Sequence, residues 1–230
     1  MKNFWGYVKR DMFTVGCTGQ TVYVYDDKGN ELKKFKDIIY AYTPMFCPQK
    51  NIFVVKSTYG MLAVYSLDTL QLIKKFRFSK VDGAQDDGFC FSCDGEYFYN
   101  IERHIDSLKT CLSIYDTSSF KRVKQLFLDD TSQVLSHIEY DSQKNSLFVL
   151  GFIRGHAGTL NHRFVAQLQN EMLINITKIT EEEYDFIEGY KHLEIMGFTS
   201  KAKEWSGLKY SGYNLSQIES KKVFLSDYIK

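Results

Sequence analysis

Proline is scarce in this sequence, and long apolar runs are missing. Only 2 of the 230 residues are proline, while aromatic residues make up 16%. Such a composition favours ordered β-strands over disorder. No stretch approaches the roughly 18 apolar residues of a membrane span, and the first residues lack the apolar segment of an export signal. We therefore expect a soluble, cytoplasmic protein that makes no membrane contact.

An excess of either charge is also missing, since 29 basic residues face 28 acidic ones. Near-neutral charge argues against a nucleic-acid partner. The five cysteines are odd in number and irregularly spaced, so we expect reduced thiols. Cys90 and Cys93 have CxxC spacing without the second pair that zinc needs, and we interpret them as structural. Phosphate-loop, dinucleotide-binding and hydrolase motifs are missing too, so we expect no cofactor.

What the sequence does contain is a repeat. A short strand ending in tyrosine and a polar residue is followed by a turn and a basic strand, first at 21–36, then at 61–78 and at 111–128. A weaker fourth copy lies at 163–177 and lacks the tyrosine. Two alternating segments precede each of the last three copies, so each unit has four antiparallel strands. Four strands every 40 to 50 residues is the spacing of propeller blades.

One turn carries a family resemblance. The segment from Phe91 to Phe98 reads Phe-Ser-Cys-Asp-Gly-Glu-Tyr-Phe, which resembles the turn between the first two strands of blades in the WD-repeat and YVTN-type β-propeller superfamily. Degenerate copies lie at 44–51 and 140–145, and the resemblance covers about residues 12–178. Tyr25-Asp26 and Tyr115-Asp116 stand where the stricter WD pattern has Trp-Asp, and no Gly-His pair opens the blades.

We accordingly predict an all-β, propeller-like fold in which residues 1–230 form a single domain of five four-stranded blades. The alternative is four blades followed by a C-terminal helical cap. The segment from residue 181 begins either a helix or a fifth inner strand, and 193–198, 207–213 and 222–226 are candidate strands. Residues 3–8 either supply a strand to the last blade or open the first, as ring closure requires.

Strand parity predicts where a site lies. Successive connections in a blade alternate between its two ends, and the long ones, at 79–87, 102–110, 129–133, 154–162 and 178–183, all fall at one end. Long loops on a rigid scaffold commonly carry binding sites. Their ionisable residues sum to −5, whereas the outer strands are basic. The basic strands are interpreted as edge protection; for the acidic loops, binding and simple solvation both stay open.

The predicted function is that of a non-catalytic protein-binding module, acting as a scaffold, an inhibitor or an immunity-type protein. The partner is another protein, and the predicted contacts are Asp82, Asp86, Asp87, Arg103, His104, Asp106, Arg154, His156, Asn161 and His162. We interpret the loop histidines as solvated, so no metal site is predicted. The repeated tyrosines are interpreted as core residues. The alternative function is a glycan or small-molecule site in the central channel, with hydrolase activity from channel-mouth carboxylates.

Overall fold

A computed structural model describes residues 2–78, 88–103, 110–127, 132–155, 159–198 and 222–230. These residues fall into two compact units, each containing two sheets. The first unit contains 2–78 and 191–198, and the second contains the described parts of 88–190 together with 222–230. Within the described residues there are four sheets, each of four antiparallel strands. We call these sheets the first to fourth blades.

The first unit contains the first two blades. The first blade consists of β1 (Gly6–Arg10), β2 (Phe13–Cys17), β3 (Val22–Tyr25) and β4 (Glu31–Phe35), and the second of β5 (Ala41–Phe46), β6 (Ile52–Ser57), β7 (Met61–Ser66) and β8 (Leu72–Arg77). Each is a meander, since every strand pairs with its sequence neighbour. The alternate residues Val15, Val22 and Val24 are completely buried and pack with Phe53 and Tyr65 in one apolar cluster.

The second unit repeats this plan. The third blade consists of β9 (Phe89–Phe91), β10 (Tyr97–Arg103), β11 (Thr110–Asp116) and β12 (Lys121–Phe127), and the fourth of β13 (Gln133–Asp141), β14 (Ser146–Arg154), β15 (Leu160–Gln169) and β16 (Met172–Lys178). Ile101 and Leu112 from the third blade share a buried cluster with Leu135 and Val149 from the fourth. In every blade, the repeat found in the sequence supplies the third and fourth strands.

A helix follows the fourth blade where a fifth inner strand was one expectation. Helix α1 spans Glu181–Ile195. Thr180 begins it with a capping box, in which the Glu183 amide donates to Thr180 Oγ1 at 3.1 Å and the Thr180 amide donates to Glu183 Oε2 at 2.7 Å. The helix ends at Ile195, and the turn that follows contains Gly197, whose φ of 63° is the left-handed conformation that glycine accommodates.

Of the two predicted arrangements, four blades followed by a helix matches the described residues. The five-blade count is not found there, because 193–198 form the helix end and a turn, and 222–228 form coil and a short 3-10 helix at Leu225–Tyr228. The candidate strand at 207–213 lies outside the described residues. Of residues 3–8, only 6–8 are strand, and they belong to β1, which opens the first blade. The prediction of a single domain stays a prediction.

The C-terminal segment 222–230 docks onto the fourth blade through polar contacts. Ser226 Oγ donates to Asp141 Oδ2 at 2.6 Å, Lys144 Nζ donates to Ser226 O at 2.9 Å, and the Lys230 amide donates to Thr177 Oγ1 at 3.1 Å. The backbone amides of Gln143 and Lys144 also donate to Asp141 Oδ1. Asp141 therefore joins the β13–β14 turn to the C-terminal segment.

None of the helices in the described residues has the length and apolar character that a membrane span needs.

This arrangement makes the stability of the second unit sensitive to acid. Burial alone would raise the pKa of Asp141, but the hydrogen bonds from Ser226, Lys144 and Gln143 lower it below its ordinary value. The stabilisation is therefore complete above the ordinary aspartate pKa of about 4 and is lost as the pH falls through the lower, folded-state pKa. We expect Asp141→Asn to lose stability at pH 6 and to differ less from the unmodified protein at pH 3.

Urea unfolding followed by circular dichroism at several pH values measures this difference. If the midpoints of the two proteins stay equally far apart from pH 6 to pH 3, the charge of Asp141 contributes nothing to docking.

Candidate functional site

Most of the contacts predicted from the long loops lie outside the described residues. These are Asp82, Asp86, Asp87, His104, Asp106 and His156. Arg103 ends β10, and its backbone pairs with Thr110 of β11. Of the connection predicted at 102–110, residues 102, 103 and 110 belong to paired strands, and residues 104–109 lie outside the described residues.

The remaining three predicted contacts come together at the hairpin between β14 and β15. Arg154 pairs with Leu160, Ile153 pairs with Asn161, and the Gly155 amide donates to Thr159 O at 2.8 Å. The side chains of Arg154, Asn161 and His162 are exposed. His162 has a φ of 45°, beside a register shift in the β14–β15 pairing. The structure thus gathers these three residues at one exposed hairpin, and their part in binding stays a prediction.

Glu102, which was counted among the acidic loop residues at the predicted long-loop end, is instead buried. Its side chain is only 1% exposed. One carboxyl oxygen accepts hydrogen bonds from Asn100 Nδ2 at 2.9 Å and Tyr115 OH at 2.6 Å, and the other accepts from Ser113 Oγ at 2.6 Å. Burial first, and then the charge and hydrogen bond of Glu102, raise the pKa of Tyr115, which keeps its hydroxyl a donor. Glu102 therefore belongs to the interior of the third blade and adds no charge to its surface.

An exposed aromatic cluster lies at the equivalent end of the second blade. It consists of Ile39, Tyr40, Tyr59 and Arg77, and we call it the Tyr40 cluster. The ring centroids of Tyr40 and Tyr59 are 5.9 Å apart, and Arg77 Cζ lies 4.6 Å from the centroid of Tyr59. Ile39 is 52% exposed and Tyr40 is 59% exposed. Apolar side chains of this size that adjoin one another on a surface mark an interaction site more often than isolated ones do.

Short hydrogen-bonded connections hold this cluster in place. Ser57 Oγ donates to Ile39 O at 2.6 Å and accepts from the Tyr59 amide at 3.0 Å, so one hydroxyl joins the two connections. The Thr58 amide donates to Tyr40 O at 3.2 Å. These bonds support Tyr40 at a φ of 52°, which costs a non-glycine residue free energy. Sequence reasoning missed the cluster because connections 36–40 and 58–60 are short, although each carries a tyrosine.

A groove of about 800 Å³ lies on the first blade, and we call it the first-blade groove. Phe4, Tyr7, Lys9, Tyr25, Asp27 and Glu31 are among its lining residues. Across β1, β2 and β3 the register aligns Tyr7 with Gly16 and then Tyr23, and Lys9 with Thr14 and then Tyr25, so these residues share one face of the sheet. The opposite face carries the buried valines of the core.

The ring of Phe4 lies against Gly16 at the floor of this groove. A Cβ on residue 16 would lie 2.6 Å from two ring carbons of Phe4, so only glycine leaves room for the ring. Phe4 stacks on Tyr7 with centroids 6.2 Å apart and meets Tyr25 edge-on at 6.1 Å. The side chain of Phe4 is 7% exposed, whereas Tyr7 and Tyr25 are partly exposed. The groove therefore has an aromatic floor that its own chain leaves partly open.

The interpretation of the repeated tyrosines as core residues is right for some of them and wrong for others. Tyr65 and Tyr115 are buried. Tyr97 is 45% exposed, because it is the first residue of β10 and lies at the end of its sheet. Tyr23 and Tyr25 are partly exposed on the open face of the first blade. Period-2 alternation identified the strands correctly but did not reveal which sheet faces are covered.

Comparison with solved structures shows the fold. The chain is similar to Kuenenia stuttgartiensis hydrazine synthase, with a TM-score of 0.61 and 14% identity over 78% of this chain and 50% of that chain. It is also similar to the WD40 domain of Toxoplasma gondii coronin, with a TM-score of 0.52 and 14% identity over 73% of this chain and 43% of that chain. The chain therefore spans half or less of the length of these structures.

At this level of identity the likeness concerns the fold alone. WD40 domains are β-propellers, so the all-β, propeller-like fold expected from the sequence is confirmed. No family model matches the sequence, and no curated protein does. The structural likeness thus supports a propeller fold, and no sequence family supports the WD-repeat resemblance.

Proposed function

We propose that this protein is a non-catalytic protein-binding module whose contacts are made at the blade ends where even-numbered strands finish. The observation that carries this proposal is the Tyr40 cluster. It presents two tyrosines, an isoleucine and an arginine together at that end of the second blade. Tyrosine and arginine are among the residues that contribute most of the binding energy in protein interfaces.

The way the cluster is held also favours binding to a macromolecule. Hydrogen bonds through Ser57 and Thr58 fix both connections before any partner arrives, so little conformational entropy remains to be lost on association. Lys75 Nζ donates to Asp37 O at 2.9 Å and ties the outer strand β8 to the same connection. Because the cluster is already rigid, the free energy of its contacts with a partner is offset little by the ordering of side chains.

Affinity capture from native lysate, with captured proteins identified by mass spectrometry, tests this proposal. We expect the intact protein to capture a protein partner and the double variant Tyr40→Ala/Arg77→Ala to lose it. Removal of two central interface residues costs at least about 2 kcal/mol each, or roughly 30-fold in affinity per residue. The matched control is Tyr97→Ala/Arg122→Ala, which removes an exposed tyrosine and an exposed arginine from the third blade.

A second variant tests the loops predicted from the sequence. It replaces Arg103, His104, Asp106, Arg154, His156 and His162 with alanine. Loss of the partner from this variant and from the Tyr40 variant assigns binding to both units. A captured set that is unchanged in both variants contradicts the assignment of the binding end, and a partner lost equally from the Tyr97 control contradicts the role of the Tyr40 cluster.

A further inference from the structure

We propose that the first-blade groove is a second binding site and that its ligand is an uncharged oligosaccharide. The groove lies away from the Tyr40 cluster. Its turn at 26–30 precedes β4, whereas the connection at 36–40 follows β4, so the two features lie at opposite ends of that strand. The inference therefore does not depend on the protein-binding function proposed above.

The aromatic floor of the groove provides apolar contacts for the face of a sugar ring. Phe4, Tyr7 and Tyr25 form a contiguous group of rings, with centroid distances of 6.1 Å and 6.2 Å from Phe4 to the other two. The faces of aromatic rings carry partial negative charge. They attract the C–H groups on the faces of a pyranose ring, which carry partial positive charge. Because Gly16 seats Phe4 against the sheet, this floor exists before a ligand binds.

The rim supplies polar groups without a net charge. Lys2, Lys9 and Lys28 are balanced by Asp26, Asp27 and Glu31. Lys2 Nζ is already committed, since it pairs with Glu31 at 3.2 Å and lies 3.6 Å from the centroid of the Tyr23 ring. A groove whose charges cancel gives no electrostatic preference for an anionic or a cationic ligand. Its ligand is accordingly expected to be uncharged.

The rim keeps side chains available for hydrogen bonding, Lys9 and Asp27 among them. The carboxylate of Asp26 accepts hydrogen bonds from the amides of Lys28 and Asn30 and from Asn30 Nδ2. It is therefore occupied in stabilising the turn at 26–30. Within the described residues, the side chains of Lys9 and Asp27 have no hydrogen bond or ion pair. Lys9 offers donors and Asp27 offers acceptors. Sugar hydroxyls both donate and accept, and an uncharged oligosaccharide satisfies both groups at once.

The size of the groove favours a ligand of a few sugar rings over a protein surface. Its volume of about 800 Å³ lies within the range of roughly 300–1,000 Å³ that is usual for small-molecule sites. A stable protein interface instead uses about 800 Å² of surface on each partner and is broad. A concave aromatic groove of this volume is more suitable for a short oligosaccharide than for a second copy of the chain.

Titration of the full chain with soluble hexasaccharides, followed by NMR chemical shifts and calorimetry, tests the proposal. The probes are cellohexaose, xylohexaose, mannohexaose, maltohexaose and N-acetylchitohexaose, with a sulfated heparin hexasaccharide as the charged comparison. We expect at least one uncharged probe to bind with a Kd of roughly 10 μM to 1 mM. We expect the sulfated probe to bind at least tenfold more weakly.

Three variants locate the site. Tyr25→Ala removes one ring of the floor and is expected to weaken binding at least tenfold, whereas Tyr25→Phe keeps the ring and stays within about threefold, since ring contact supplies most of the energy. Tyr97→Ala, the matched exposed tyrosine of the third blade, leaves binding unchanged. Circular dichroism and the urea midpoint confirm that each variant is folded before titration.

The proposal is overturned if no uncharged probe binds at about 5 mM, which corresponds to a binding free energy weaker than about 3 kcal/mol. It is also overturned if Tyr25→Ala binds as tightly as the unmodified protein. Sedimentation equilibrium tests whether a second copy of the chain occupies the groove instead. A dimer that dissociates in Tyr25→Ala would show that it does. None of these outcomes changes the capture experiment on the Tyr40 cluster, so the two proposals fail separately.

Discussion

Replacement of Glu102 by alanine is expected to lower the free energy of unfolding by about 3–5 kcal/mol, because it removes the common acceptor of a buried polar cluster. Asn100, Ser113 and Tyr115 all donate to this carboxyl group and are themselves buried. Without Glu102, these donors stay away from water and lose their partner. Each buried donor left unsatisfied costs about 1–3 kcal/mol.

Two further variants separate hydrogen bonding from other effects. Glu102→Gln keeps the side-chain volume and one acceptor oxygen but turns an NH2 group toward a donor. It is therefore expected to lower the free energy of unfolding by less than Glu102→Ala does. Glu96→Ala removes an exposed glutamate from the adjacent turn and is expected to change stability by less than about 0.5 kcal/mol. Urea unfolding measures all three. A loss for Glu102→Ala no greater than that of Glu96→Ala would show that the cluster does not stabilise the third blade.

Replacement of Tyr184 by alanine is expected to lower the free energy of unfolding by about 3–5 kcal/mol and to loosen helix α1 from the fourth blade. Tyr184 is completely buried in a cluster with Val134, Phe148 and Ile187. Its ring meets Phe152 at 90°, with centroids 6.1 Å apart. Burial raises the pKa of its hydroxyl, which stays protonated and donates to Ser136 Oγ at 3.1 Å. Truncation at this position therefore leaves a cavity between helix and sheet.

Tyr184→Phe isolates the hydroxyl from the ring. It loses only the hydrogen bond to Ser136, which is expected to cost about 0.5–1.5 kcal/mol. The control on the same helix is Glu182→Ala, where the side chain is exposed. Denaturant unfolding followed at 222 nm reports both helix content and stability. Equal losses for alanine and phenylalanine at position 184 would show that ring packing does not attach the helix.

Much of the fold could be predicted because each blade is a local structure. Its four strands are consecutive in the chain, so their alternation, the turns between them and the repeat can all be read along the sequence. The strand bounds predicted around Tyr25, Tyr65 and Tyr115 agree with those observed to within a few residues. The segment after Lys178 was ambiguous. A helix and a fifth inner strand were both left open there, and the structure contains a helix that Thr180 and Glu183 cap.

The same distinction between local and tertiary contacts applies to the candidate sites. The sequence by itself determined four repeated strand units and the tight turns between their strands, because hydrogen bonding between adjacent strands depends on residues near one another in the chain. Only the tertiary structure decided that Glu102 is buried, that Tyr59 lies against both Tyr40 and Arg77, and that Phe4 lies against Gly16. Each of these contacts joins residues from different strands or connections. Their proximity follows from which sheet faces are covered and from how separate connections pack together, and no local pattern encodes these.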